Sequence, residues 1–240
     1  MTQMGNIQGS ADAAEVAKFD ALAGDWWNPR GPMAPLHAMN PVRMGWVAAQ
    51  LGPLEGLRIL DVGCGAGLAS EWLARRGAVV TGLDAAGVAL EAARAHAAEA
   101  GVTVDYRAGT PEGLEEGGYD TVISLEVIEH VPVAERAAFC ASLARLTRPG
   151  GTVVLSTLNR TRRSWLFAIL GAEHVLRWLP VGTHDWKLFL HPSELGALLR
   201  GAGLAVTDTA GMVPGALGGF HLSRDMAVNY LMAARKPAQA

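Results

Sequence analysis

Short apolar runs alternate with longer segments whose apolar residues recur every three or four positions through the middle of this chain. Residues 58–62 form a continuous apolar run and predict a buried strand. Residues 68–76 carry a helical pattern that Gly77 stops. The same alternation predicts strands at 79–84, 102–107, 119–125 and 152–158, with helices at 87–100 and 133–146. The second of these helices ends at Arg148-Pro149-Gly150-Gly151. Strands and helices that alternate with short connections predict an α/β fold with a parallel, doubly wound sheet. Ligands of such sheets gather at the carboxyl ends of the strands.

After Leu158 the pattern changes. Residues 164–179 are densely apolar, 192–200 read as a helix, and 204–209 and 228–234 as two late strands. Residues 1–50 read as an N-terminal helical extension of the same domain. Residues 51–240 form the rest of it, with an insertion at about 160–190.

A chain of 240 residues fits one large domain, and with half its residues hydrophobic it can bury a sizeable core. A net charge of −3 and a pI of about 6.2 give no nucleic-acid footprint. Two cysteines are too few for a disulfide framework, so both Cys64 and Cys140 are read as reduced thiols in a cytosolic protein. Residues 1–6 have neither the basic nor the apolar region of a secretory signal, and the run of about 18 apolar residues that a membrane span needs is absent from the sequence.

The chemistry starts at the end of the first strand. Residues 59–67 read Ile-Leu-Asp-Val-Gly-Cys-Gly-Ala-Gly, and Asp84 stands roughly 20 residues on, at the end of the second strand. A turn without side chains lets a ligand approach the backbone, and a carboxylate at that distance can hold a ribose diol. A nicotinamide dinucleotide fingerprint needs a third glycine at the helix start, where this chain has Leu68. It also wants a Tyr-Lys or similar pair after the fourth strand, which the sequence lacks. The run from Asp61 through Gly63, Gly65 and Gly67 resembles the first motif of class I S-adenosylmethionine-dependent methyltransferases, whose cofactor carries a nucleoside but no phosphate.

Directly after the fourth strand comes Glu126-Val127-Ile128-Glu129-His130. Glu126, Glu129 and His130 stand at i, i+3 and i+4, so a helical turn here would put all three on one face. Such a set suits a divalent-cation site, an acid–base pair, or a Glu–His hydrogen bond that only fixes the loop.

Further stretches carry a more specific resemblance. They include Trp26-Trp27, Asn40-Pro41-Val42-Arg43, Glu129-His130-Val131-Pro132, Ser156-Thr157-Leu158-Asn159-Arg160, Gly182-Thr183-His184-Asp185 and Val228-Asn229-Tyr230. With these the chain resembles, over nearly its whole length, the ubiquinone-biosynthesis O-methyltransferase family. The resemblance implies a Rossmann-like class I methyltransferase with a mostly parallel seven-stranded sheet and a reversed last strand. It implies methylation of phenol and catechol hydroxyls of polyprenylated precursors, 2-polyprenyl-6-hydroxyphenol and 3-demethylubiquinol, with S-adenosylmethionine as cofactor. The cofactor would lie against Arg43, Asp61, Gly63, Gly65, Asp84 and Leu125. Arg43 would grip the methionine carboxylate through a forked pair of hydrogen bonds. Glu126, Glu129 and His130 would hold magnesium, with His130 and Glu129 also the catalytic pair. His37, His184 and His191 are lesser base candidates. Where relatives tend to carry an acidic residue after the third strand, this chain has Gly109-Thr110, which leaves adenine recognition unassigned.

Two alternatives stay open: a methyltransferase of another small-molecule acceptor, and a non-catalytic assembly factor on a dead methyltransferase fold. The intact Arg43, Asp61, Gly63, Gly65 and Asp84 weigh against the second. Arg160-Thr161-Arg162-Arg163 precedes the apolar run around Trp165 and Phe167, and Trp178 follows. That composition suits either an interfacial element on an anionic membrane surface or a lid packed on the sheet. Because a polyprenyl tail is insoluble in water, the resemblance implies a cytoplasmic enzyme peripherally associated with the inner membrane, near other ubiquinone-biosynthesis enzymes.

Overall fold

The structure, a computed structural model, describes residues 10–11, 13–166, 186–215 and 219–238. Five parallel strands form the heart of the sheet: β1 (Arg58–Val62), β2 (Val79–Asp84), β3 (Asp105–Ala108), β4 (Tyr119–Leu125) and β5 (Thr147–Leu158). Three antiparallel strands extend it: β6 (Ala205–Pro214), β7 (Phe220–Ser223) and β8 (Asn229–Arg235). The order is β3-β2-β1-β4-β5-β8-β6-β7.

Each central strand is buried on both faces, so its run is apolar without alternation. In β1, Ile59 points into the core beneath α2 (Ala34–Leu51) and α3 (Leu68–Ala74), where it meets Met44, Val47 and Leu73. Its neighbour Leu60 points the other way, into a core with Phe139 and Leu143 of α5 (Arg136–Leu146) and Leu195 and Leu199 of α7 (Pro192–Gly201). Between β5 and α7 the described residues include the single turn α6 (Arg162–Ser164) and a short 3-10 turn at Trp186–Leu188.

Three expectations need correction. The sheet has eight strands, not seven, because Phe-His-Leu-Ser at 220–223 pairs with β6 as an edge hairpin. That run is four residues long and flanked by glycine, too short to show a period. Strand β5 starts at Thr147 and takes in Arg148-Pro149-Gly150-Gly151, which sequence reads as a helix stop. The predicted helix 133–146 is a 3-10 turn, Val133–Glu135, followed by α5.

The N-terminal residues pack on the sheet's helices. Helix α4 (Gly87–Glu99) has no side-chain cap from its own N-terminal residue. Asp20 of α1 (Ala13–Leu22) supplies one, accepting the Val88 and Ala89 amides at 2.9 and 3.3 Å. That is the work of an N-cap carboxylate, done here from a distant element.

Candidate functional site

A cavity of about 1120 Å³ opens along the carboxyl ends of the strands. Its wall includes every residue expected to touch the cofactor: Arg43, Asp61, Gly63, Gly65, Asp84 and Leu125.

The glycines of the turn after β1 let two aromatic side chains pack directly on its backbone. Gly65 has φ +52°, and a Cβ there would fall 2.4 Å from the Trp26 ring. Gly67 has φ +88°, and a Cβ there would meet the Tyr106 hydroxyl at 2.0 Å. A side chain at either position would be strained and would clash. Asp84 braces this turn: Oδ2 accepts the Gly65 amide and Oδ1 the Ala86 amide, each at 2.7 Å. Burial raises its pKa, against the pull of those two amides. Its carboxylate lines the cavity and keeps unused lone pairs, since each oxygen can accept more than one hydrogen bond.

Asp61 is buried below the turn and accepts the Ser70 hydroxyl at 2.6 Å. Burial pushes its pKa up to about 6, opposed by Ser70 and Arg43. Arg43, on α2, is buried against the same cavity; burial lowers its pKa, while the Glu126 and Asp61 charges oppose the shift. One arm of the guanidinium donates to Asn40 Oδ1 at 3.0 Å, but Nε has no hydrogen-bond partner among the described residues. A buried cation with an unmet donor in a cavity wall is the chemistry that a ligand carboxylate satisfies. The residues present therefore fit a ligand with an amino-acid tail and a ribose.

The Glu126-x-x-Glu129-His130 set behaves differently. It does not form a helical face: Glu126 sits at φ +59°, in the left-handed region, and only Ile128–His130 turn, as a 3-10 element. Each side chain takes its own partner. Glu126 accepts the Ser156 hydroxyl at 2.6 Å, Glu129 accepts Thr157 Oγ1 at 2.9 Å, and His130 Nδ1 meets Glu15 Oε2 at 2.7 Å. Among the described residues no group of three His, Cys, Asp or Glu side chains is gathered to hold a metal ion. The two glutamates do feel each other: burial, then the Glu126 charge, holds the Glu129 carboxyl well above the usual carboxylate range.

Of the lesser histidines, His37 bonds the Trp26 carbonyl at 2.8 Å and His191 bonds Asn159 at 3.1 Å, both packing roles. His184 lies outside the described residues, as do Phe167 and Trp178. Thr110 is buried in the cavity wall beside Gly109. Glu15 was not visible as a site residue in the sequence. Its partner lies 115 positions away, and no local motif marks the pairing.

Residues 59–151 match the family described as a methyltransferase domain. A ubiquinone biosynthesis O-methyltransferase of Azorhizobium caulinodans is 49% identical over 241 residues, covering 95% of this chain and 94% of its own. One of Bordetella bronchiseptica is 50% identical over 231 residues, with 95% of each chain covered. This chain belongs to the ubiquinone biosynthesis O-methyltransferase family. Among solved structures, the magnesium protoporphyrin IX methyltransferase of Synechocystis PCC 6803 with bound SAM is similar in fold, with a TM-score of 0.64 at 21% identity over 95% of this chain and 100% of that one. The same enzyme with bound SAH gives a TM-score of 0.60 at 25% identity over 82% and 80%. The extra edge strand β7 is an addition to the Rossmann-like sheet, not a departure from it. No helix among the described residues is long and apolar enough to cross a membrane.

Proposed function

We propose that this O-methyltransferase uses S-adenosylmethionine to methylate phenol or catechol hydroxyls of polyprenylated ubiquinone precursors. The observation that carries this reading is one cavity with two unlike ends. At one end stand the open turn, Asp84 and the unmet Arg43 donor. At the other, beyond β4, the wall turns apolar with Leu36, Met39, Leu158, Met212, Pro214 and Phe220. In the sheet order β6 lies three strand spacings from β4, about 14 Å. The cofactor does not need that length. It suits the first isoprene units of a tail whose ring lies over β4 and β5.

Bound in the first end, S-adenosylmethionine supplies an electrophilic methyl on a sulfonium. Arg43 would hold the methionine carboxylate and Asp84 the ribose diol. The apolar wall excludes water and fixes the acceptor oxygen in line. A phenol with pKa about 10 is mostly neutral at pH 7, so its proton needs a receiver. Supporting His130 as that receiver, Glu15 engages Nδ1 and so favours the tautomer with its proton there. Glu129 stands next to it, held in a proton-carrying range.

One observation favours a second reading of the acceptor end. Glu126 and Glu129 are crowded carboxylates at the cavity wall, and a divalent cation such as magnesium would relieve their repulsion. Such a cation supplies a lowered hydroxyl pKa. His130 could join it only by leaving Glu15. Activity abolished by chelator and restored by magnesium supports this reading, and full activity in excess chelator retires it.

Exposed Trp165 and Leu166, beside exposed Arg162 and Arg163, support contact with an anionic membrane surface, where a tailed substrate is met. Contact with other ubiquinone-biosynthesis enzymes belongs to the same reading. The deciding experiment incubates purified protein with labelled S-adenosylmethionine and matched catechols with and without a prenyl tail. Label on a phenolic oxygen, with the tailed acceptor preferred, is the expected result. Absence of transfer, or equal use of both, overturns the reading.

A further inference from the structure

The cofactor end is roofed by a segment that has no part in the sheet. Ser10, Val16, Leu22, Trp26 and Met33 line the cavity, so the described residues ahead of α2 cover it, with Glu15 reaching over to His130 at the other end. Only its first part is helical: after α1 comes one 3-10 turn, Ala23–Asp25, and then irregular chain to α2. Besides the Asp20 cap on α4 and the Glu15–His130 bond, two adjacent tryptophans hold it to the glycine turn. The buried ring of Trp26 fills the space above Gly65 that a Cβ would occupy. Trp27 donates from Nε1 to the Ala66 carbonyl at 3.0 Å, on the same turn. The face of Trp27 lies on the His96 ring of α4, with centroids 3.4 Å apart and planes 5° from parallel. His96 Nδ1 in turn meets Glu71 Oε1 at 2.7 Å, and the Glu71 side chain is 2% exposed.

A buried carboxylate on α3 is costly without partners. Here it has two, His96 and the Arg75 guanidinium at 3.1 Å. The His96 bond fixes the plane of the imidazole, and that plane is the surface on which Trp27 lies. Neither Glu71, His96 nor Trp27 lines the cavity. Their shared effect reaches the cofactor only through Trp26 and the turn at Gly65.

We propose that Glu71 and His96 are positioning residues for the cofactor: they latch Trp27, and through it Trp26, against the glycine turn, and so set how long the cofactor stays bound. The inference rests on the cofactor half of the proposed function and is independent of the acceptor.

The test compares wild type with His96→Gln, His96→Phe and Trp27→Phe. His96→Gln keeps a polar partner for Glu71 but loses the stacked face. His96→Phe keeps the face but leaves Glu71 without its imidazole. Trp27→Phe keeps a ring but loses the bond to Ala66. S-adenosylmethionine binding and release are followed by stopped-flow tryptophan fluorescence, and steady-state constants are measured for both substrates. Release from His96→Gln is expected to be faster by roughly tenfold, the scale of one aromatic contact. KM for S-adenosylmethionine should rise to match, with kcat and the acceptor KM within about twofold. His96→Phe should fall between it and wild type. A merely structural role would change thermal stability without this split between the two substrates. Unchanged release in all folded variants, or a KM rise shared equally by both substrates, overturns the proposal. Should the His96 variants fail to fold, Trp27→Phe decides it by the same two readings. If wild type itself binds no S-adenosylmethionine, the proposed function fails, and that outcome is separate from any ranking of the variants.

Discussion

At one end of the cavity Gly65 leaves a space that Trp26 fills, and Arg43 keeps a donor unmet; at the other, Glu126, Glu129 and His130 each bond a hydroxyl or carboxylate from elsewhere in the chain. The first end is made by backbone shape and one buried cation. It presents capacity to a ligand. The second is made by side chains whose polar needs are met within the protein. It presents an apolar surface with a few groups already oriented. A polar, charged ligand suits the first, and a greasy acceptor suits the second.

Changes at Arg43 should break this contrast most sharply. Arg43→Gln should weaken S-adenosylmethionine binding by about 3–4 kcal/mol, several hundredfold, because a buried charge pair loses one member. Calorimetry reads this directly, and unchanged affinity would remove Arg43 from the cofactor end.

Next in size is a pH effect from Asp61. Its folded pKa is about 6. That is above its unfolded value, so the folded state binds more protons between the two pKa values, and stability falls as pH rises through that window. The loss reaches up to about 3 kcal/mol. Thermal unfolding of wild type and Asp61→Asn should therefore converge at about pH 4 and diverge towards pH 7, with the variant relatively favoured at the higher pH. Parallel curves would show that Asp61 is not held as described.

Glu15→Gln sharpens the other side of the comparison. It should lower kcat by roughly tenfold, about 1.4 kcal/mol, by releasing the His130 ring, and should leave the affinity for S-adenosylmethionine unchanged. A fall in cofactor affinity alone would move Glu15 to the first end. The smallest effect is expected at Trp165, where Trp165→Ser should reduce sedimentation with anionic vesicles by less than about 1 kcal/mol of partitioning and leave stability unchanged. A loss of stability would make Trp165 part of a lid.

The two ends also differ in how legible they are in the sequence. The cofactor end is written locally. A run from Ile59 to Gly67 sets strand, turn and helix start together, and Asp84 follows one strand later, so spacing alone places them. The parallel sheet was legible for the same reason, since β1, β2, β4 and β5 announce themselves as mostly apolar runs and β3 as an alternating one. The acceptor end was misread where it depends on distant pairs. Helical spacing suggested one face for Glu126, Glu129 and His130, but Glu126 takes a left-handed backbone and β5 supplies the hydroxyls that separate the two glutamates' bonds. The edge strand β7 was missed because its pairing with β6, not its composition, makes it a strand.

The cap that Asp20 places on α4 fixes an order of events during synthesis. Residues 13–22 leave the ribosome early, yet the amides that Asp20 covers belong to residues 88 and 89, and the imidazole that Glu15 engages belongs to residue 130. At roughly 5–20 residues per second, the N-terminal segment waits on the order of 10 s for that last partner. The sheet's first strands can pair in that interval, before the last of the roof's partners exists. The roof of the cavity is thus made before the surface on which it docks.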